Sequence, residues 1–255
     1  MKKTSFFSAL LPLLTALLLA CARAPAEGEY ATPERNKIMW LASPLIGWNH
    51  DDLKQRDRAG QVKTMSETAL EYGLFVMAAH PRFVVNDFLF FTEAAGDTDV
   101  LGNFFHANVY GNPEAPVTWN LGAGHLYHKI KPPNEDIDVH VPMAKAGVVL
   151  RVKQWDLAFN PYVGYAWERV YTLHGNSDND SYLYGLTVDW RWRMLALNAK
   201  YYFQDSREAD EDYNNVHVRF TTGLTQHWGA VLRFDYMEHS TTDDTSLLAG
   251  PVFVF

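Results

Sequence analysis

Residues 246–255 read Ser-Leu-Leu-Ala-Gly-Pro-Val-Phe-Val-Phe and finish on an aromatic residue. A run this apolar is either the edge strand of a soluble sandwich or the last strand of a sheet that closes on itself. The segments upstream decide between them. In 229–239, Leu232, Phe234 and Tyr236 oppose Val231, Arg233 and Asp235. In 215–225, Val216, Val218, Phe220, Thr222 and Leu224 oppose His217, Arg219, Thr221, Gly223 and Thr225. In 194–204, Leu195, Leu197, Ala199, Tyr201 and Phe203 oppose Ala196, Asn198, Lys200, Tyr202 and Gln204. Successive side chains of a strand point to opposite faces, so each segment has one apolar and one polar face.

Working back from the end, such segments fall near residues 37–48, 68–79, 82–92, 99–110, 116–129, 139–152, 156–170, 182–192, 194–204, 215–225, 229–239 and 246–255. That is twelve, an even number, and short connections alternate with long ones. The short ones are Ala79–Pro81, Gly111–Ala115, Lys153–Trp155, Arg193 and Gln226–Trp228; the long ones lie near 49–67, 93–98, 130–138, 171–181, 205–214 and 240–245. No apolar run of eighteen residues follows the N-terminus, which excludes a helical membrane protein. The order Gly250, Phe253, Phe255 resembles the C-terminal assembly signal of bacterial outer-membrane β-barrels, with Leu248 standing where that signal carries a polar residue. The resemblance implies the barrel-assembly machinery as a partner through Gly250, Phe253 and Phe255. The expected fold is all-β, a closed antiparallel up-and-down transmembrane β-barrel of about twelve strands.

Met1-Lys2-Lys3 followed by the apolar run Phe6–Ala20 has the form of a secretory signal. We expect a signal peptide at 1–24, a periplasmic tail at 25–36 and the barrel at 37–255, in the outer membrane of a Gram-negative cell. Leu18-Leu19-Ala20-Cys21 offers an alternative, lipobox-type cleavage before Cys21. Cys21 is the only cysteine, so the barrel has no disulfide framework and no thiolate metal site.

A cation facing lipid at mid-bilayer costs about 2–4 kcal/mol, so Lys200, Arg219 and Arg233 are assigned to the lumen. The same register puts Gly47, Gly73, Gly102, Gly122, Gly124, Gly147, Gly164, Gly185 and Gly223 inside. In 82–92 the phase is ambiguous, because Asn86 and Asp87 cannot both face inward. Asp87 is placed inside on the cost of a carboxylate in lipid, which carries Phe83, Val85, Leu89 and Phe91 inward with it. Aromatic girdles are expected at a periplasmic rim (Trp40, Trp119, Trp155, Trp190, Trp192, Trp228, Phe255) and an outer one (Trp48, Tyr127, Trp167, Tyr171, Tyr182).

Two basic tracks are expected in the lumen. One comprises Lys200, Arg219 and Arg233, with Asp235 and His217 above and Asp189 and Arg191 nearer the periplasm; the other comprises Lys145, Arg151 and Lys153. They look like the arrangement in twelve-stranded porins for acidic oligosaccharides. Opposite them lies an apolar arc including Met39, Leu41, Leu45, Phe75 and Met77. Tracks of this kind concentrate anions, and the expected function is a passive channel for small anionic or amphiphilic solutes. The alternative for the same groups is mutual neutralisation in a filled, structural or partner-binding barrel. A lipid-modifying hydrolase built on His106 or His128 with Asn103, Asn108 and Asn120 is a further alternative, for which no serine stands at a fitting spacing. Most of the net charge of −8 lies in the long connections, among them Asp97, Asp99, Glu135, Asp136, Asp138, Asp178, Asp180, Asp205, Asp212, Asp243 and Asp244. Such a rim can share divalent cations with lipopolysaccharide phosphates. No cofactor or dedicated metal site is expected, and no basic surface patch suits nucleic acid.

Overall fold

In a computed structural model, which describes residues 38–56, 62–94, 98–131, 136–207, 212–223, 225, 227–239 and 242–255, the chain closes into one antiparallel barrel. The strands are β1 (Met39–Arg56), β2 (Val62–His80), β3 (Phe83–Ala94), β4 (Thr98–Tyr110), β5 (Val117–Lys131), β6 (Ile137–Val152), β7 (Leu157–Thr172), β8 (Gly175–Trp192), β9 (Leu195–Ser206), β10 (Tyr213–Gly223), β11 (Trp228–Glu238) and β12 (Thr242–Val254). Each pairs with its neighbours in sequence, and β12 pairs with β1. The expected signal peptide, Cys21 and the tail lie outside the described residues, as do Asp97, Glu135 and Leu224.

The register fixes the tilt. One circuit of paired residues leads from Arg151 through Asp189, Asn198, Arg219, Arg233, Leu248, Gly47, Glu71, Thr92 and Val100 back to β6 at Ile137, fourteen residues from its start. With strands about 4.8 Å apart and a rise of about 3.3 Å per residue, the strands tilt about 40° from the barrel axis, as closure requires.

Outward positions between the two rims carry large exposed apolar groups, such as Ile46, Leu74, Leu121, Val148, Val163, Leu186 and Phe253. Trp40, Trp119, Trp192 and Trp228 lie exposed towards the end with the short turns, with Trp48, Trp167, Tyr171 and Tyr182 towards the other. A wall with so apolar an outer face is suited to hydrocarbon, and closure pairs the backbone groups that open edges would leave bare.

Two expectations are corrected. Residues 49–56, 62–67 and most of 171–181 are strand rather than loop. The β1–β2 ladder runs up to Arg56 opposite Val62, and β7 and β8 are joined by Leu173 and His174 alone. Polar composition marks exposure to water, and a hairpin standing clear of the membrane satisfies its backbone while remaining polar. The second correction is the phase of β3. Phe75 pairs with Phe88, and Leu74 with Leu89. Phe75 is 5% exposed and Phe88 3%, whereas Leu74 and Leu89 are both over 40% exposed. Asn86, Phe88, Phe90 and Thr92 therefore face the lumen, and Phe83, Val85, Asp87, Leu89 and Phe91 face outward. The outward set holds one polar residue among five, the inward set two. Hydrocarbon selects between whole faces, so the sum outweighs the single carboxylate.

Leu248 explains its own departure from the terminal pattern. It is fully buried inside the barrel, in a cluster with Leu45, Phe75, Phe88 and Val231. Leu248→Ala is expected to destabilise the barrel by about 2–5 kcal/mol, read as a lowered urea midpoint for unfolding from lipid vesicles.

Candidate functional site

The basic arc and the aromatic arc meet across the lumen. On β9–β11, Lys200 pairs in register with His217, Asn198 with Arg219, Arg219 with Arg233, and His217 with Asp235. All five ionisable side chains share the inner face. Asp235 accepts from Arg233 Nε at 2.5 Å and from His217 Nδ1 at 2.6 Å. Arg219 and Arg233 are like charges directly opposite one another, an arrangement that by itself destabilises a sheet. Rings from the facing wall offset it. Arg219 sits 4.5 Å over Phe75 of β2, Arg233 3.6 Å over Phe88 of β3 and Lys200 5.0 Å over Phe104 of β4. Phe104 also stacks on His217 at 6.3 Å. A desolvated cation–π contact contributes about 2 kcal/mol, so these bridges hold the two walls together. Between them remains a cavity of about 80 Å³ lined by Phe75, Phe88, Phe104, His106, Lys200 and Arg219 among others. That holds a few waters.

The second basic track is only partly a track. Lys145, 9% exposed, stands over the Tyr162 ring at 4.5 Å and lines a smaller void with His106, Lys200 and Tyr202, so it joins the same layer as Lys200. Arg151 is held low by donating to the Ala115 carbonyl at 3.2 Å. Lys153 lies exposed in the 3-10 turn Lys153–Trp155, off the lumen wall. Arg191 is exposed at the short-turn end of β8, and Asp189 accepts from Asn198 Nδ2 at 2.6 Å. Beside Lys145, buried side-chain atoms of Asn108, Asn120 and Asn160 have no protein partner. Such atoms call for water or solute.

Charge also changes along the axis. Towards the outer end, buried Glu71 accepts from Ser246 Oγ at 2.5 Å, Asn49 Nδ2 donates to Asp244, and Asp51 pairs in register with Asp244. An acidic mouth thus stands above a basic waist.

The residues considered for hydrolase chemistry are not assembled. His106 pairs with Gly124, and His128 with Gly102, four residues away along both strands. His106 is stacked on Phe104 and bonded to Asn108, while His128 packs edge-on against Phe90. Asn103 is on the outer wall, where it donates to Asp87 at 2.7 Å. His125, also outward, lies 3.3 Å from His140.

The aromatic half of the waist was mostly missed in the sequence, because Phe88 follows the misassigned phase of β3. A signal was present. Gly73 and Gly102 face inward on the strands flanking β3, and a Cβ at either would strike the Phe88 or Phe90 ring. Two inward glycines flanking one strand leave room that large inward rings fill.

The fold is a closed antiparallel β-barrel of twelve strands. Solved structures to which the chain is similar include the translocator domain of the autotransporter NalP from Neisseria meningitidis, with 9% identity, 97% of this chain and 96% of that one covered, and a TM-score of 0.49. The anion-selective porin from Comamonas acidovorans has 9% identity, coverage of 86% and 100%, and a TM-score of 0.40. The KdgM porin has 9% identity, coverage of 83% and 99%, and a TM-score of 0.41. No protein-family model and no curated protein matches the sequence.

Proposed function

We propose that this chain is an outer-membrane channel for small amphiphilic anions, closed at rest by cation–π bridges across its waist. The observation that carries the reading is the placement of Arg219, Arg233 and Lys200 against Phe75, Phe88 and Phe104. A filler needs volume only, and apolar side chains would supply it without two guanidiniums in register. A solute with a carboxylate and an apolar ring offers the cations an anion and offers the phenylalanines a replacement surface. It therefore exchanges the resting contacts for equivalent ones, which lowers the barrier to its passage. Inorganic cations offer neither.

The test is permeation into liposomes bearing the purified barrel. Benzoate is expected to enter faster than acetate, and both faster than benzylammonium. Arg219→Glu with Arg233→Glu is expected to reverse the preference between benzoate and benzylammonium. Equal rates for all three, at the level of protein-free liposomes, would sink the channel reading. That outcome would leave the second reading, a structural barrel with a permanently filled lumen, which the smallness of the cavity favours.

A further inference from the structure

Asp87 and Asn103 have no use in the lumen, because they face the other way. Their strands are apolar around them. On the outer face of β3, Phe83 and Val85 precede Asp87, and Leu89 and Phe91 follow it; on β4, Leu101 and Phe105 flank Asn103. Leu89, Leu101 and Phe105 are each about 40% exposed. Among the described residues, Asp87 is the only carboxylate or cation on an outward rung between the two aromatic rims, and no cation is paired with it. An ionisable group within the hydrocarbon band is unfavourable against lipid and marks a protein contact or a functional site. Val76 and Phe105, its register partners, are apolar and give it nothing.

We propose that the outer face of β3–β4 is the surface through which two copies of this chain associate in the membrane, with Asn103 of β4 at the axis and Asp87 set back from it on β3. Copies inserted in the same direction can be related only by a two-fold axis along the membrane normal. Each residue then meets the partner's wall at its own height, so the patch must be complementary to itself. A carboxamide meets that requirement. Asn103 Nδ2 spends one hydrogen on Asp87 Oδ1, leaving one N–H and its carbonyl oxygen. Two such amides across the axis make a reciprocal pair of hydrogen bonds, each oriented and polarised by its own Asp87. Lipid chains offer neither donor nor acceptor. Leu89, Leu101 and Phe105 around the polar centre supply the apolar contact that excludes lipid and strengthens the bonds.

The experiment places photoreactive benzoylphenylalanine at Phe105 in the full chain in its native membrane, with Val163 on β7 as the control site. Irradiation is expected to give a band at twice the barrel's mass from position 105 and none from 163. Adding Asn103→Leu is expected to reduce that band at least fivefold while leaving heat-modifiable electrophoretic mobility intact, since leucine suits a lipid-facing position. A crosslink from position 105 to a different protein, equal dimer bands from both sites, or a dimer unaffected by Asn103→Leu would each overturn the proposal.

Discussion

Replacing Arg219 and Arg233 together with alanine is expected to convert a nearly silent barrel into one with steady conductance. The two side chains cross the lumen to lie on Phe75 and Phe88. In the double variant those rings lose their caps and Asp235 keeps only its bond to His217. If the stacked guanidiniums contribute about 1–2 kcal/mol each, removing both lowers the barrier at the waist by about 3 kcal/mol, on the order of a hundredfold in conductance at 1.4 kcal/mol per tenfold. Anion preference falls in the same variant, because only Lys200 and Lys145 remain at that height. The single variants are expected to show less than half of this gain in log conductance, since either remaining arginine still bridges to its own ring. Single-channel recording in planar bilayers reads all three. An unchanged conductance would mean that His106, Lys145 and Tyr162, beside the arginines in the same layer, seal the lumen without them, and the arginine bridges would not be the gate.

The architecture was legible in the sequence because hydrocarbon imposes a simple rule on every strand. Leu232, Phe234 and Tyr236 against Arg233 and Asp235 can be sorted without a structure, since one face must tolerate lipid and the other need not. Strand number and the inward glycines followed from the same rule. The rule fails where its terms conflict. In β3 a single carboxylate was set against the sum of a face, and the face won, with Asp87 accommodated by Asn103 on the next strand. It also does not apply above the membrane, where the polar arms of β1–β2 and β7–β8 read as loops although their ladders continue. The candidate site was half legible. Lys200, Arg219 and Arg233 could be placed on one layer by counting residues from the short turns. That each would lie on a ring from the far wall depends on tilt and on the diameter of the closed barrel, which are properties of the circuit of strands and of no single strand.

Closure itself depends on two glycines on opposite sides of the β1–β12 seam, and Gly47→Val is expected to abolish it. A Cβ at Gly47 would lie 1.8 Å from the Leu247 carbonyl oxygen, and one at Gly250 would lie 1.9 Å from that of Pro44. These are backbone atoms of the strand across the seam, which cannot yield as a flexible side chain does. Pro44 and Pro251 lie in the same stretch and have no N–H to donate, and Ser43 Oγ donates to the Pro251 carbonyl at 2.7 Å. The seam is therefore held by close backbone approach and a few specific bonds, the last being the reciprocal pair between Trp40 and Phe255 at 3.0 and 3.2 Å. An unclosed seam leaves two strand edges in hydrocarbon, each bare backbone group costing several kcal/mol, so the loss is all-or-none. Gly47→Val and Gly250→Val are each expected to reduce the yield of heat-modifiable, protease-resistant barrel at least tenfold, both in cells and on refolding into detergent. Gly124→Ala, whose new methyl would press mainly on the flexible Met143 side chain, is expected to fold normally. We further propose that Gly250, Phe253 and Phe255 are read by the assembly machinery, and deleting Phe255 separates that role from closure. The deletion removes one rung of the seam and is expected to lower the yield in cells several-fold while leaving refolding in detergent nearly unchanged. If refolding fails as badly as assembly in cells does, the terminal aromatic acts through the seam alone and its reading by a partner is wrong.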